Sequence, residues 1–245
     1  MSDPMAPAAT GIVVALAAEA RALTSARIHP ERLVSLAEGA AVWLSGMGPD
    51  AAHRAAHGLA DAGAGALAVF GVAGALDADL RNGSLFCPER VLDEHGRNYP
   101  VHAPWRARLQ QRLAATACPL CTNGALLSVR EPLLTTAAKA AARGRHRALA
   151  VDMESAAVAA VAQERGLPFL TLRAIIDEAG DSIPAALNNS VDAWGRPRAW
   201  GLLAALCRHP GLLAELPRLY SRMQRATLAL RAVAEATGPT LGWSP

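Results

Sequence analysis

Short runs of branched aliphatic residues alternate along this chain with Ala-rich stretches in which polar residues recur at helical spacing. The first run, GIVVAL (Gly11 to Leu16), predicts a buried strand, and the AAEARAL after it a helix. LVSLAEGAAVWLSG carries two strand-like runs on either side of Glu38-Gly39 and predicts a hairpin. A glycine-rich turn, Pro49 at a first helical position and an Ala-rich run closed by Gly63 predict the next helix. ALAVFGVAGAL runs as a strand into glycines, SLFCPERVLD continues extended, and NGALLSV and RALAVDM add two strands, the second passing straight into the helix ESAAVAAVAQERG. Pro168 opens the strand FLTLRAII. Strands alternating with helices predict an α/β fold with a largely parallel central sheet covered on both faces. From about Arg196 the texture changes: leucines at helical spacing, arginines between them, and Pro210 and Pro217 dividing the run into pieces.

Composition narrows this to one large domain, since 245 residues with 52% hydrophobic content suffice for a single core. With 4% aromatic residues, that core is built mainly from Ala, Leu and Val. The net charge of +3 is mildly basic and the arginines are scattered, so no nucleic-acid partner is expected. Lys139 is the chain's only lysine and lies in TTAAKAAARGR, which reads as a surface helix; a Walker-type phosphate loop and a Schiff-base lysine then lack a candidate. The cysteines Cys87, Cys118, Cys121 and Cys207 include one C-x-x-C pair but no second pair, so ordinary thiols and no metal site are expected. No apolar run approaches the roughly 20 residues of a membrane span, and MSDPMAPAAT is short and polar, which predicts a cytoplasmic protein.

In open α/β sheets ligands gather at the carboxyl ends of strands, so polar residues there come first. Glu19 follows the first strand; Gly71 and Gly74 lie in FGVAGAL, where they let backbone approach a ligand; Asp152 to Ser155 form VDMES; and Asp177 ends RAIID. A carboxylate at VDMES suits a sugar, because it accepts hydrogen bonds from two neighbouring hydroxyls, although either acid equally suits a helix cap. Asp177 closes an almost wholly apolar strand, where burial favours the protonated form of a general acid; the alternative is a loop carboxylate paired with Arg173 or another arginine. Glu19 taken alone reads as a solvated helix residue. His53 and His57, four apart on an Ala-rich helix, lack a third ligand, and no Gly-x-Ser-x-Gly elbow is present.

In order, these pieces resemble the purine nucleoside phosphorylase and methylthioadenosine/S-adenosylhomocysteine nucleosidase superfamily, from GIVVALAAEARAL through SGMGPDAA, FGVAGAL and VDMESAAVAAVA to LPFLTLRAIIDEAGD. The resemblance implies a single-domain phosphorylase/nucleosidase fold, a central mixed sheet flanked by helices, over residues 11–195, after a flexible 1–10 and before a helical extension, 196–245, packed on the same domain. It implies an enzyme that cleaves the N-glycosidic bond of a purine nucleoside and needs no cofactor, with inorganic phosphate as an alternative co-substrate to water. Carried over by position, Glu154 grips the ribose hydroxyls, Met153 packs under the sugar, Asp177 protonates the departing base and Glu19 orients the attacking water. Leu133, Leu134 and Asp152 meet the base, and Gly71, Val72 and Arg21 mark the anion or water site. The arginine and serine that hold phosphate in the phosphorylases are replaced here by Val69 and Val72, which leans the reading toward hydrolysis, although Arg21 and Arg90 are candidates to rebuild a phosphate site.

The tail D-x-W-G-R-P, followed by Leu-rich helices broken by R-H-P and L-P, is similar to the hopanoid-associated phosphorylases. That likeness implies release of adenine from adenosylhopane, a purine nucleoside with a large apolar 5′ substituent. Trp194, Trp200, Leu202, Leu203 and Leu206, among Arg196, Arg198 and Arg208, then form an apolar mouth and a peripheral membrane contact, or else core or a subunit contact. A homo-oligomer is expected from the family. Two rival readings are the same chemistry on methylthioadenosine or S-adenosylhomocysteine, and a non-catalytic nucleoside binder.

Overall fold

The computed structural model describes residues 10–114, 120–184, 192–196 and 212–244. The strands are β1 (Thr10–Val14), β2 (Leu33–Ser35), β3 (Ala40–Leu44), β4 (Ala66–Ala75), β5 (Leu85–Phe86), β6 (Arg90–Asp93), β7 (Asn98–Pro100), β8 (Leu120–Cys121), β9 (Ala125–Ser128), β10 (Ala150–Asp152) and β11 (Phe169–Asp177). The helices are α1 (Ala17–Leu23), α2 (Pro49–Asp61), α3 (Ala103–Leu113), α4 (Thr136–His146), α5 (Ser155–Arg165) and α6 (Leu212–Thr237).

One mixed sheet joins all of these strands, in the order β2-β3-β1-β4-β10-β9-β6-β7, with β11, β5 and β8 branching from β4. The predicted hairpin is β2 and β3, antiparallel, turning through Glu38 and Gly39 at positive φ. The core is aliphatic: Val, Leu, Ile and Ala from β1, β3, β4 and β11 are nearly all fully buried, which is why so few aromatics suffice. Helices α2 and α5 pack on each other, while α6 packs on α1, α3 and β11.

The strand that places the site is β4. Its first half pairs in parallel with β1 as far as Val13↔Val69, and its far end pairs antiparallel with β10 through Val151↔Gly74 and Ala150↔Ala75. Strands β1 and β10 therefore approach each other, carboxyl end to carboxyl end, along one edge of β4. Between them lie Phe70 to Ala73, whose ladder groups on that side have no strand partner in these pairings. Such a gap, where neighbouring strands diverge, is where an open sheet offers backbone groups to a ligand. Along its other edge β4 pairs with β11 for most of its length, until a register shift between Ile175 and Asp177. That bulge sets Asp177 opposite Gly74 and re-aims the strand's last side chain.

Two local expectations are corrected. Helix α6 runs through Pro217 rather than breaking there. Pro217 is near the helix start, so only the bond to the Leu213 carbonyl is lost. Helix α4, expected at the surface, buries one side chain, Lys139. Its sequence has no broad apolar stripe, because the neighbours of Lys139 are alanines that fit a buried or an exposed face equally well.

Candidate active site

A cavity of about 210 Å³ opens at this gap, walled by Leu16, Met47, Val72, Leu133, Met153 and Ile176 and carrying Glu19, Asp152, Glu154, Lys139 and Asp177. At its β1 end, Glu19 is buried and reaches back over the start of α1. Its Oε2 accepts hydrogen bonds from the backbone N–H of Ala15 (2.9 Å) and Leu16 (2.8 Å), and its Oε1 from that of Val72 (2.8 Å). One carboxylate thus ties the end of β1 to the unpaired stretch of β4. Gly71 makes the approach feasible: a Cβ there would land on the Glu19 carboxylate and lie 2.7 Å from Arg173 Nη1. Burial raises the Glu19 pKa, opposed by Arg173 and by the three N–H donors.

Across the gap, the turn from β10 into α5 separates the two acids of VDMES. Asp152 faces the protein. Its Oδ1 accepts from Ser155 N–H at 3.3 Å, and its Oδ2 accepts from Ser155 Oγ and is ion-paired with Arg173. Asp152 thus accepts from the first N–H of α5, and both its oxygens are bonded within the protein, to Ser155 and Arg173. Glu154 makes no cap bond; its Oε1 accepts from Gly48 N–H at 2.9 Å, and Arg173 Nη2 lies 3.3 Å from its Oε2. Gly48 is held at φ +96, the left-handed region that glycine tolerates. Burial pushes the Glu154 pKa up to about 7, against the pull of Arg173 and with the help of Asp152 and Glu19. Arg173, on the middle of β11 and 0% exposed, is thus the guanidinium around which these three carboxylates gather.

At the opposite end, Asp177 is paired with Lys139, whose Nζ also donates to the Glu178 carbonyl at 2.8 Å. Gly74 gives this carboxylate room, since a Cβ there would sit 3.0 Å from Asp177 Oδ2. Burial raises the Asp177 pKa and the Lys139 ammonium opposes it. The wall beside Asp177 is the loop before α4, where Ile183 N–H donates to the Leu134 carbonyl at 2.8 Å and ties the loop after β11 to Leu133-Leu134.

The sequence model of the Phosphorylase superfamily matches residues 11–208. The chain belongs to the Phosphorylase superfamily. Among solved structures, a methylthioadenosine/S-adenosylhomocysteine nucleosidase from Colwellia psychrerythraea, in complex with adenine, is 18% identical, with TM-score 0.68, over 97% of this chain and 96% of that one. The futalosine hydrolase of Helicobacter pylori is 18% identical, with TM-score 0.66, over 93% and 97%. A Helicobacter pylori methylthioadenosine/S-adenosylhomocysteine nucleosidase in complex with a substituted pyrrolidin-3-ol is 18% identical, with TM-score 0.63, over 82% and 98%. These likenesses establish the fold. No curated protein sequence matches this chain.

In this superfamily member the structure brings Glu19, Val72, Leu133, Asp152, Met153, Glu154 and Asp177 to one cavity, with Gly71 directly beneath Glu19. It does not bring Arg21 there: Arg21 is exposed and borders surface depressions on the other side of α1. Arg90 lies at the start of β6, against Glu89. Leu134 contributes a carbonyl to the loop closure but is not part of the cavity wall. The alternative pairing of Asp177 with Arg173 does not occur; its partner is Lys139. Reading residues one at a time missed Lys139 as a site residue and Arg173 as the hub of the carboxylates. An arginine inside the apolar strand FLTLRAII was the available signal, because a cation there must be paired.

Of the tail residues, Trp194 and Arg196 are described. Trp194 is partly buried against the core, its carbonyl accepts from Ala17 N–H at 3.1 Å, and the Arg196 guanidinium carbon lies over its ring, 5.9 Å from the centroid. Trp200, Leu202, Leu203, Leu206, Arg198 and Arg208 lie outside the described residues, as does the 1–9 segment.

Proposed function

We propose that this protein is an enzyme that cleaves the N-glycosidic bond of a purine nucleoside with water as the nucleophile. The observation that carries this reading is the position of Glu19, Glu154 and Asp177 around a single cavity, with the first two at one end and the third at the other. Cleavage passes through an oxocarbenium-like sugar with negative charge growing on the base. In this reading Glu154 accepts hydrogen bonds from the ribose hydroxyls, Met153 packs beneath the ring and Asp177 hands its proton to a ring nitrogen of the departing base. Glu19 holds the attacking water and takes its proton.

Water rather than phosphate is supported by the occupancy of the gap. The N–H groups of Ala15, Leu16 and Val72, which would be anion donors, are all bonded to the Glu19 carboxylate. With Glu19, Asp152 and Glu154 around the single Arg173, that end repels a phosphate unless carboxylates are protonated. Arg21 and Arg90 are too far removed in the fold to be in the cavity wall.

The substrate we infer is an adenine nucleoside with a large apolar 5′ substituent, adenosylhopane. Support comes from the tail's likeness to hopanoid-associated phosphorylases and from the rim. There the 192–196 segment meets Leu16 and Met47: Met47 N–H donates to the Ala193 carbonyl at 2.7 Å, and a Cβ at Gly195 would lie 2.8 Å from Leu16 Cδ2. On this reading the protein also touches a lipid surface and works as a homo-oligomer. A second reading, methylthioadenosine or S-adenosylhomocysteine, is favoured by the modest 210 Å³ of the cavity itself. Competition between adenosylhopane and methylthioadenosine for adenine release separates them. Preference for the lipid is expected; efficient turnover of methylthioadenosine alone would remove the hopanoid assignment and leave the chemistry standing.

A further inference from the structure

The chemistry above leaves the buried ammonium of Lys139 unused. Lys139 is the chain's only lysine, 1% exposed, and its ammonium meets the Asp177 carboxylate and the Glu178 carbonyl. Burying an ammonium costs several kcal/mol unless it is paired and hydrogen-bonded, so its placement beside the acid is not a by-product of packing. An aliphatic side chain would fill the same space on α4 without that cost. The other charged groups near Asp177 are already engaged. Asp181, on the loop beyond β11, is held by Arg218 (2.6 Å) and by Arg222 from α6. The Glu178 carboxylate is held by Arg81 (3.1 Å) and by the N–H of Asn82 (3.2 Å). Among the described residues, Lys139 is the cation bonded to Asp177.

The position of Lys139 also joins the two halves of the base end. Its own N–H donates to the Thr135 carbonyl at 3.0 Å in the first turn of α4, the helix that follows the Leu133-Leu134 loop. Its side chain then crosses to the end of β11.

We propose that Lys139 is a positioning residue for glycosidic cleavage: it fixes the Asp177 carboxyl toward the cavity and neutralises the carboxylate left behind when the proton passes to the base. This rests on the reading of Asp177 as the general acid. In the step, the Asp177 O–H bond breaks and an N–H bond forms on the base, while the glycosidic electron pair leaves with the base. Water adds to the anomeric carbon and loses its proton to Glu19. Asp177 ends as a carboxylate paired with the Lys139 ammonium; for the next turnover it takes a proton from solvent and Glu19 returns one.

The test compares wild type, Lys139→Met, Lys139→Ala and Asp177→Asn. Adenine release is followed against pH, with and without ethylamine, and the Asp177 carboxyl is titrated by 13C NMR in the unliganded protein. Both Lys139 variants should lose kcat by about 10²-fold with a smaller change in KM. The alkaline limb, which reports loss of the Asp177 proton, should move to higher pH, because the cation that favours the carboxylate is gone. Ethylamine, entering the space left in Lys139→Ala, should recover at least tenfold of the lost kcat. The Asp177 carbon signal should titrate higher in both variants. Wild-type kcat and an unshifted alkaline limb in Lys139→Met would overturn the proposal, as would Lys139→Ala activity that ethylamine leaves unchanged. If either variant fails to fold, the other still decides. A wild type that releases no adenine, or an Asp177→Asn variant as active as wild type, would instead overturn the cleavage reading; the NMR titration would still report whether Lys139 governs Asp177.

Discussion

The two ends of the cavity solve opposite electrostatic problems. At the β1 and β10 end, Glu19, Asp152 and Glu154 share one guanidinium, so carboxyl groups outnumber cations, and burial lifts the pKa of Glu19 and Glu154. At the β11 end, Asp177 has an ammonium to itself. An excess of buried carboxylate stabilises positive charge developing on a sugar and opposes an anionic nucleophile. A matched pair surrenders a proton to growing negative charge at little cost. The same residue types, carboxylates at strand ends, acquire different chemistry from the number of cations each must share.

If this contrast governs activity, the largest effect falls on the matched end. Asp177→Asn should lower kcat for adenine release by about 10³-fold while substrate still binds, as judged by calorimetric titration. Undiminished turnover would place the acid elsewhere. The crowded end should respond more strongly in stability. Arg173→Met leaves three carboxylates without their cation and should cost about 3–5 kcal/mol in denaturant unfolding. For groups whose folded pKa is raised, the unfolded chain ionises first as pH rises. The loss should therefore be smallest below the usual glutamate range and grow through neutral pH; a pH-independent loss would mean that charge is not the cause.

Glu154 offers a sharper probe. Its pKa of about 7, with the ribose contact proposed for its ionised form, predicts that activity falls as pH drops through neutrality. Glu154→Gln should abolish that acid limb and raise KM, in a full pH profile of kcat/KM. An acid limb that survives the substitution would assign it to another group. The smallest effects compare two glycines. Gly71→Ala pushes a methyl into Glu19 and Arg173 and should cost about 1–3 kcal/mol in thermal melts. Gly144→Ala, in α4 with open space around it, should stabilise by roughly 0.5–1 kcal/mol. Equal effects at the two sites would show that the approach at Gly71 is looser than described.

The strands and the positions of their carboxylates are legible in the sequence because each buried strand is a short apolar run and each acid stands where the run ends. What is not legible is how those acids are divided. Asp152 and Glu154 are two residues apart, and their separate fates depend on Arg173, which reaches them from another strand. The bulge at Ile176 that turns Asp177 toward the cavity has no glycine or proline to announce it. Lys139 was hidden by its alanine neighbours, which mark neither a buried nor an exposed face, and Pro217 looked like a break because its closeness to the helix start was not readable. Short apolar runs report local burial, while the chemistry here depends on contacts made across the sheet.

We propose glycosidic cleavage by water in a site that excludes phosphate. Its most direct test is to incubate the protein with a purine nucleoside in phosphate buffer and in a phosphate-free buffer, and to identify the sugar product by mass spectrometry. Free base and free sugar, formed at the same rate in both, is the predicted result; a sugar 1-phosphate formed only when phosphate is present would contradict it.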